Sequence, residues 1–175
     1  MIEARARQLY YVAFNQILKN NEFKFLKRSK RPPLDEINAM LSFGNTLLYN
    51  QFLQIIWKTS LDPRIGIVHA TNRRAHSLNL DFADVFKPII TDRIIFSLIN
   101  LKQIKSEHFE RMEDGGIYLN KLGKRIFLEE FMEKLESKFV IKNESLTYKQ
   151  LMINEVRNFQ KHVINGEKYK PYKYY

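Results

Sequence analysis

An all-α fold is predicted for this sequence, a helical bundle of about five to seven helices with at most one small hairpin near 109–119. Three features predict it. Apolar residues recur at steps of three and four along most of the chain, the period of a helix with one buried stripe. A single hairpin signal stands out, Asp114-Gly115-Gly116 within Phe109–Leu119. The length of 175 residues, 45% of them apolar, suffices for an ordinary core without disulfide staples.

Taken in order, Ile2–Lys19 has helical period, with Ile2, Ala6, Leu9, Ala13 and Ile17 on one stripe. Phe23–Pro33 is a basic connector. Its closing Pro32-Pro33 delays helix entry, and Asp35 and Glu36 then suit a first turn. The next helix is expected from about Leu34 to Thr59, with Gly44 marking close packing on its buried face. Leu61-Asp62-Pro63 ends it and caps an expected short helical segment through His69. Asn72–Arg74 reads as a polar turn, Ser77 opens a helix to about Pro88, and a further helix follows through Leu101. Helical period resumes over Asn120–Lys138 and Thr147–Ile164. Residues 1–165 are thus read as one helical domain, and 166–175 as a basic Tyr/Lys tail expected to be flexible.

The formal net charge of +10 favours a polyanionic partner, most often nucleic acid. With no cysteine, thiolate metal sites and cysteine nucleophiles are excluded, so a metal would need His, Asp, Glu or carbonyl ligands. No apolar run approaches the roughly 20 residues of a membrane span, and Met1–Arg7 carries no signal-peptide h-region, so a cytoplasmic protein with no membrane partner is expected.

Candidate chemistry gathers in Ser77–Pro88, where Asp81 and Asp84 project from one helical face about a turn apart. Two like charges there need a cation between them. A divalent metal is one answer; Arg73, Arg74 or Arg93 is the other. His69 follows the apolar run Ile65-Gly66-Ile67-Val68, a setting that suits a hydrogen-bonded structural histidine as well as a ligand. Glu3 lies four residues before Arg7, the spacing of a surface ion pair.

Four blocks in order resemble the CRISPR adaptation integrase family: Ile2–Tyr10, Arg31–Tyr49, Leu61–His69, and Ser77–Pro88 with Thr91–Arg93. The last third resembles the family only in type. The resemblance implies the helical catalytic domain of a two-domain parent whose N-terminal β-domain forms a homodimer. That domain is not among these residues, which accounts for a first helix opening without a cap. It implies a metal-dependent DNA endonuclease and integrase of spacer acquisition, acting at the CRISPR repeat with Mg²⁺ or Mn²⁺. Its partners would be double-stranded and branched DNA and the second, smaller adaptation subunit. By motif position the catalytic metal ligands fall on Glu3, His69 and Asp84, with Asp81 near the site and Asn38 structural. Phosphate contacts are expected from Arg5, Lys24, Lys27, Arg28, Lys30, Arg31, Arg73, Arg74 and Lys87, and from the tail's Lys168, Lys170 and Lys173 among tyrosines. Two other functions remain open at this level. One is a DNA-binding or assembly fragment of the same family that lacks catalysis. The other is a basic helical protein that binds RNA or an acidic protein.

Overall fold

The computed structural model describes residues 2–69, 75–141 and 144–173; within them, the side chains of residues 2–4, 7 and 141 are not described. The expected helical fold is what the chain forms. Helices α1 (Ile2–Val12), α2 (Phe14–Ile17), α3 (Glu36–Ile56), α4 (Leu78–Phe86), α5 (Thr91–Asn100), α6 (Lys121–Glu136) and α7 (Tyr148–Asn165) account for most of it. Two antiparallel hairpins complete it: β1 (Phe109–Arg111) with β2 (Ile117–Leu119), and β3 (Lys138–Ile141) with β4 (Glu144–Thr147). Among the described residues, no helix is long and apolar enough to cross a membrane.

The chain divides into two compact units, one of Met1–Gly44 with Thr91–Phe131, the other of Asn45–Ile90 with Met132–Tyr175. In the first, Phe14 packs edge-on against Phe96 and lies against Phe25, with ring centroids 4.8 and 5.2 Å away. Helix α1 is tied to α5 by the Tyr10 hydroxyl, which donates to Asp92 Oδ2 at 2.7 Å. Burial, and then the Asp92 carboxylate, push the Tyr10 phenol far above its ordinary value. The close packing expected at Gly44 is present: a Cβ there would meet Phe127 Cζ and Thr91 Cγ2 at 2.7 Å.

The basic connector is held by one buried side chain. Asn38 Oδ1 accepts from Arg28 Nη1 at 2.7 Å and from the Ser29 N–H at 3.0 Å. Its Nδ2 donates to Lys27 O at 2.8 Å and Asp35 Oδ2 at 2.6 Å, while its own N–H donates to Asp35 Oδ1 at 2.7 Å. Asp35 thereby also supplies the acceptor that the first turn of α3 lacks. Burial lifts the Asp35 carboxyl above its ordinary value, and the donations from Asn38 hold part of that rise back.

Replacing Asn38 with alanine leaves buried partners unpaired, and a loss of about 2–4 kcal/mol is expected. For a chain this long that lowers the thermal midpoint by about 10 °C. Alanine keeps the backbone N–H bond to Asp35 Oδ1 but loses the Nδ2 donation to Oδ2, so the folded-state pKa of Asp35 rises further above the unfolded value. Keeping Asp35 ionised in the fold then costs more, so the loss is larger at pH 7 and shrinks as pH falls through that raised value. Melting curves at pH 7 and at a pH below that raised value check this.

In the second unit, Phe52 lies against Phe82 and Phe86, with centroids 5.7 and 5.1 Å away, and Phe82 meets Phe159 of α7 edge-on. A reciprocal capping box starts α7. Thr147 Oγ1 accepts from the Gln150 N–H, and Gln150 Oε1 accepts from the Thr147 N–H. Gly166, left-handed at φ 70°, ends it. The tail, expected to be flexible, returns to this unit: Glu155, buried on α7, accepts from the Tyr169 hydroxyl and the Tyr172 N–H, and the Tyr172 ring stacks on Phe86.

Three local readings are corrected. Helix α1 breaks at Ala13, whose N–H turns to Tyr10 O at 3.2 Å, so the period over Ile2–Lys19 serves two helices. Residues 61–69 form no helix. Pro63 O accepts instead from the N–H groups of Ser77 and Leu78, which makes this segment a loop tied to the start of α4. Two hairpins are present where at most one was expected. The second seats Phe139 on Tyr148 with centroids 4.6 Å apart.

Candidate metal centre

The centre of interest lies in the second unit, where the loop from Leu61 meets α4. Asp62 opens the loop as a turn: its carboxylate accepts from the Arg64 N–H at 2.9 Å and from the Arg64 guanidinium, which holds the carboxyl at about 2. The Ser77 hydroxyl donates to Arg64 O at 2.7 Å. Gly66 lies so close that a Cβ would sit 2.5 Å from His69 O and 2.8 Å from Ser77 Oγ, so a side chain at position 66 would push the loop off α4.

The loop then turns its backbone toward one carboxylate. Asp81 Oδ2 accepts from the N–H of Ile67 at 2.5 Å and of Val68 at 3.2 Å, and Oδ1 accepts from the His69 N–H at 3.1 Å. The same Oδ1 lies 2.6 Å from His69 Nδ1. Only 6% of the Asp81 side chain is exposed. Burial pushes this carboxyl up, but the His69 side chain and the three N–H groups outweigh it and hold it below the usual carboxylate range. In the neutral tautomer that donates Nδ1–H to Asp81, the other ring nitrogen carries the lone pair. That nitrogen, Nε2, lies 3.9 Å from Asp84 Oδ2. Asp84 Oδ1 pairs with Lys87, one turn on, whose Nζ also sits 4.8 Å from the centre of the Tyr49 ring.

A histidine whose orientation is set by one carboxylate, and whose free nitrogen faces another, is the usual outer and inner arrangement of a metal ligand. The 3.9 Å separation is within reach of two bonds of about 2.1 Å to one ion. The donor set therefore fits a divalent cation, although two ligands do not complete a site. Among the described residues, no group of three or more His, Asp or Glu side chains is placed to hold a metal. Glu3, the third expected ligand, belongs to α1 in the first unit, and its side chain lies outside the described residues.

The other expected residues divide. Arg5, Lys24, Lys27, Lys30 and Arg31 are exposed. Arg28 is turned inward to Asn38 and to Ser42 Oγ at 3.1 Å, so it braces the connector. Lys87, expected to meet phosphate, is engaged by Asp84. Arg73 and Arg74 lie outside the described residues, as do Tyr174 and Tyr175 of the tail. Sequence reasoning passed over Tyr49 and the Lys87–Asp84 pair, although the spacing of three between Asp84 and Lys87 was a usable signal.

Fold and site together describe a helical protein in which an imidazole nitrogen and a carboxylate oxygen face each other beside a buried orienting carboxylate. A family model for "CRISPR associated protein Cas1" matches residues 1–133. A "CRISPR-associated endonuclease Cas1 2" of Thermodesulfovibrio yellowstonii is 48% identical over 173 residues, 98% of this chain and 52% of that protein. The solved structure of a CAS1 protein from Thermotoga maritima superposes with TM-score 0.87 at 36% identity, covering 98% of this chain and 53% of that one. The structure of a casposase bound to integration product superposes with TM-score 0.83 at 27% identity, over 93% of this chain and 46% of that one. The chain belongs to the CRISPR associated protein Cas1 family, as the four sequence blocks implied. It spans about half the length of the curated relatives it matches.

Proposed function

We propose that this chain carries the metal-dependent DNA endonuclease and integrase site of CRISPR spacer acquisition, with Glu3, His69 and Asp84 as the ligands of Mg²⁺ or Mn²⁺. The observation that carries this reading is His69 Nε2 aimed at Asp84 from an imidazole fixed by Asp81. The endonuclease names of the relatives and the integration product held by the casposase support the same reaction class.

When bound, the cation would supply charge neutralisation at the reacting phosphate and activation of the attacking hydroxyl. The chain's own residues set its conditions. The Asp81 carboxylate, 2.6 Å from Nδ1, favours the tautomer protonated there, which leaves Nε2 available to a cation. Lys87 lies beside Asp84 and adds positive charge where a phosphate oxygen would arrive. The substrate is double-stranded and branched DNA, gripped by Arg5 and the exposed cations Lys24, Lys27, Lys30 and Arg31. For the full-length protein we assign the family's homodimer, the second, smaller adaptation subunit and a cytoplasmic location.

The Lys87–Asp84 pair favours a second reading. It gives Asp84 a cation without any metal, as a fragment that binds DNA but does not cut it would need. Manganese-dependent nicking of branched DNA by the 175-residue chain separates the two. Nicking abolished by chelator supports the enzyme, whereas DNA binding indifferent to metal with no nicking supports the inert fragment. Changing Lys24, Lys27, Lys30 and Arg31 together to alanine weakens binding in either case. The slope of log K against log salt then falls by about 0.9 for each phosphate no longer neutralised, as titrations at several salt concentrations would show.

A further inference from the structure

The C-terminal tail docks on the helix that carries Asp84, and each step of its path is fixed by a named contact. Gly166 turns the chain off α7 in the left-handed conformation, and His162 Nδ1–H donates across the turn to Glu167 O at 2.7 Å. Beyond the turn the side chains divide: Tyr169 and Tyr172 are half-buried, whereas Lys168, Lys170 and Lys173 are exposed. The Tyr169 ring stands edge-on to Phe159 and stacks on His162, with centroids 5.3 and 6.2 Å away. Pro171 has no N–H to give, and the next N–H, that of Tyr172, reaches both oxygens of Glu155 at 3.1 and 3.2 Å. Glu155 is 4% exposed, and the Tyr169 hydroxyl donates to it as well, which closes a clamp on the tail.

A buried carboxylate needs its hydrogen-bond donors in place, so the clamp holds the tail in one register. That register lays the Tyr172 ring on Phe86, with centroids 6.0 Å and planes 23° apart. Phe86 is the last residue of α4 and is wholly buried, with Phe52 of α3 also against it. Asp84 lies two residues earlier, about 200° round the helix, so it faces the site while Phe86 faces the core. The other end of α4 is fixed by Ser77 and by the loop on Asp81. The seat of the Phe86 ring therefore sets the rotation of the last turn, and with it the 3.9 Å between Asp84 and His69 Nε2. The clamp uses none of the three tail lysines.

We propose that Tyr172, clamped by Glu155, is a positioning residue for Asp84: the tail is a strap across the end of α4 that holds this carboxylate at the spacing from His69 which a divalent cation needs. This rests on the metal-dependent reading above, and it adds to that site a segment remote in sequence from its ligands.

The test uses the 175-residue chain, with Mn²⁺ affinity read from the paramagnetic resonance of the free ion and nicking of branched DNA followed as kcat and KM. Tyr172→Ala is expected to weaken Mn²⁺ binding and to lower kcat, each by about 10–100-fold, the range for a group that orients a metal ligand. KM for DNA should stay unchanged. Glu155→Ala, which frees the tail with Tyr172 intact, should do the same. Tyr172→Phe keeps the ring and the N–H and should retain most of both quantities. Changing Lys168, Lys170 and Lys173 together to glutamine should leave Mn²⁺ affinity and kcat as they are. Parent Mn²⁺ affinity and kcat in Tyr172→Ala overturn the strap even if the melting midpoint falls, because a merely structural brace would move only the midpoint. A raised KM with kcat unchanged, shared by Tyr172→Ala and the lysine variant, makes the tail a phosphate grip and overturns it too. Should Tyr172→Ala fail to fold by circular dichroism, Tyr172→Leu, which keeps the bulk and loses the ring, decides in the same way. A parent that binds Mn²⁺ without nicking overturns the cleavage reading alone, and the affinities then decide the strap. A parent that does neither overturns the metal reading and the strap with it.

Discussion

Replacing His69 with alanine removes metal-dependent nicking, by at least about a hundredfold, while circular dichroism and the melting midpoint stay close to those of the parent. The size of the loss follows from position. Changing a partner of a metal ligand already costs about 10–100-fold, and His69 is the proposed ligand itself. The tolerance of the fold follows from exposure: the imidazole is part-exposed at the end of a loop and fills no core space. Alanine keeps the His69 N–H, and with it one of the three backbone donors to Asp81. His69→Gln offers an oxygen at a similar reach and should recover little, since it lacks the ring geometry that Asp81 orients. Undiminished nicking by a nuclease-free preparation of His69→Ala would remove His69 from the reaction.

Changing Asp81 to alanine acts on both the site and the loop that builds it. The nearly buried carboxylate is the shared acceptor of the Ile67, Val68 and His69 N–H groups and of the imidazole. Without it the loop loses its attachment near the middle of α4 and keeps only the tie to Ser77. The cost is about 1–3 kcal/mol, because water can reach part of this exposed loop and replace some of the broken bonds. Nicking should fall by about 10–100-fold, the range for loss of an orienting partner. Asp81→Asn separates the two contributions. Its amide oxygen can still accept backbone N–H bonds, so stability returns toward the parent. Its neutral side chain supports the imidazole poorly, so activity stays low. Proteolysis near residue 66 reports the loop, and nicking rates report the site. If both variants nick at the parent rate, Asp81 does not position His69.

How far the sequence reaches can be judged from particular residues. The stripes of α3, α4 and α7 were readable because a helix is decided by neighbours three and four residues apart. The Thr147–Gln150 box and the glycine after α7 are equally local. The close approach at Gly44 was legible because a glycine in a long apolar helix has few other uses. The β3–β4 hairpin was missed: strands of four residues between two strongly periodic helices leave too short an alternation to read.

For the site, the sequence alone determined which residue types were available: a histidine after an apolar run, two carboxylates one turn apart, and a lysine one turn further on. These choices lie within single segments. What answers the charge of Asp81 was decided by the tertiary structure. The expected candidates were a metal or one of Arg73, Arg74 and Arg93; the loop supplied its own backbone N–H groups and His69. Tertiary structure likewise drew Arg28 away from the basic surface, set Lys87 on Asp84, returned the tail to Glu155, and left Trp57 and Val68 in solvent. The reason is physical. A helix reports its own faces, but where a loop closes depends on acceptors many residues away, and neither composition nor spacing records which of them it will find.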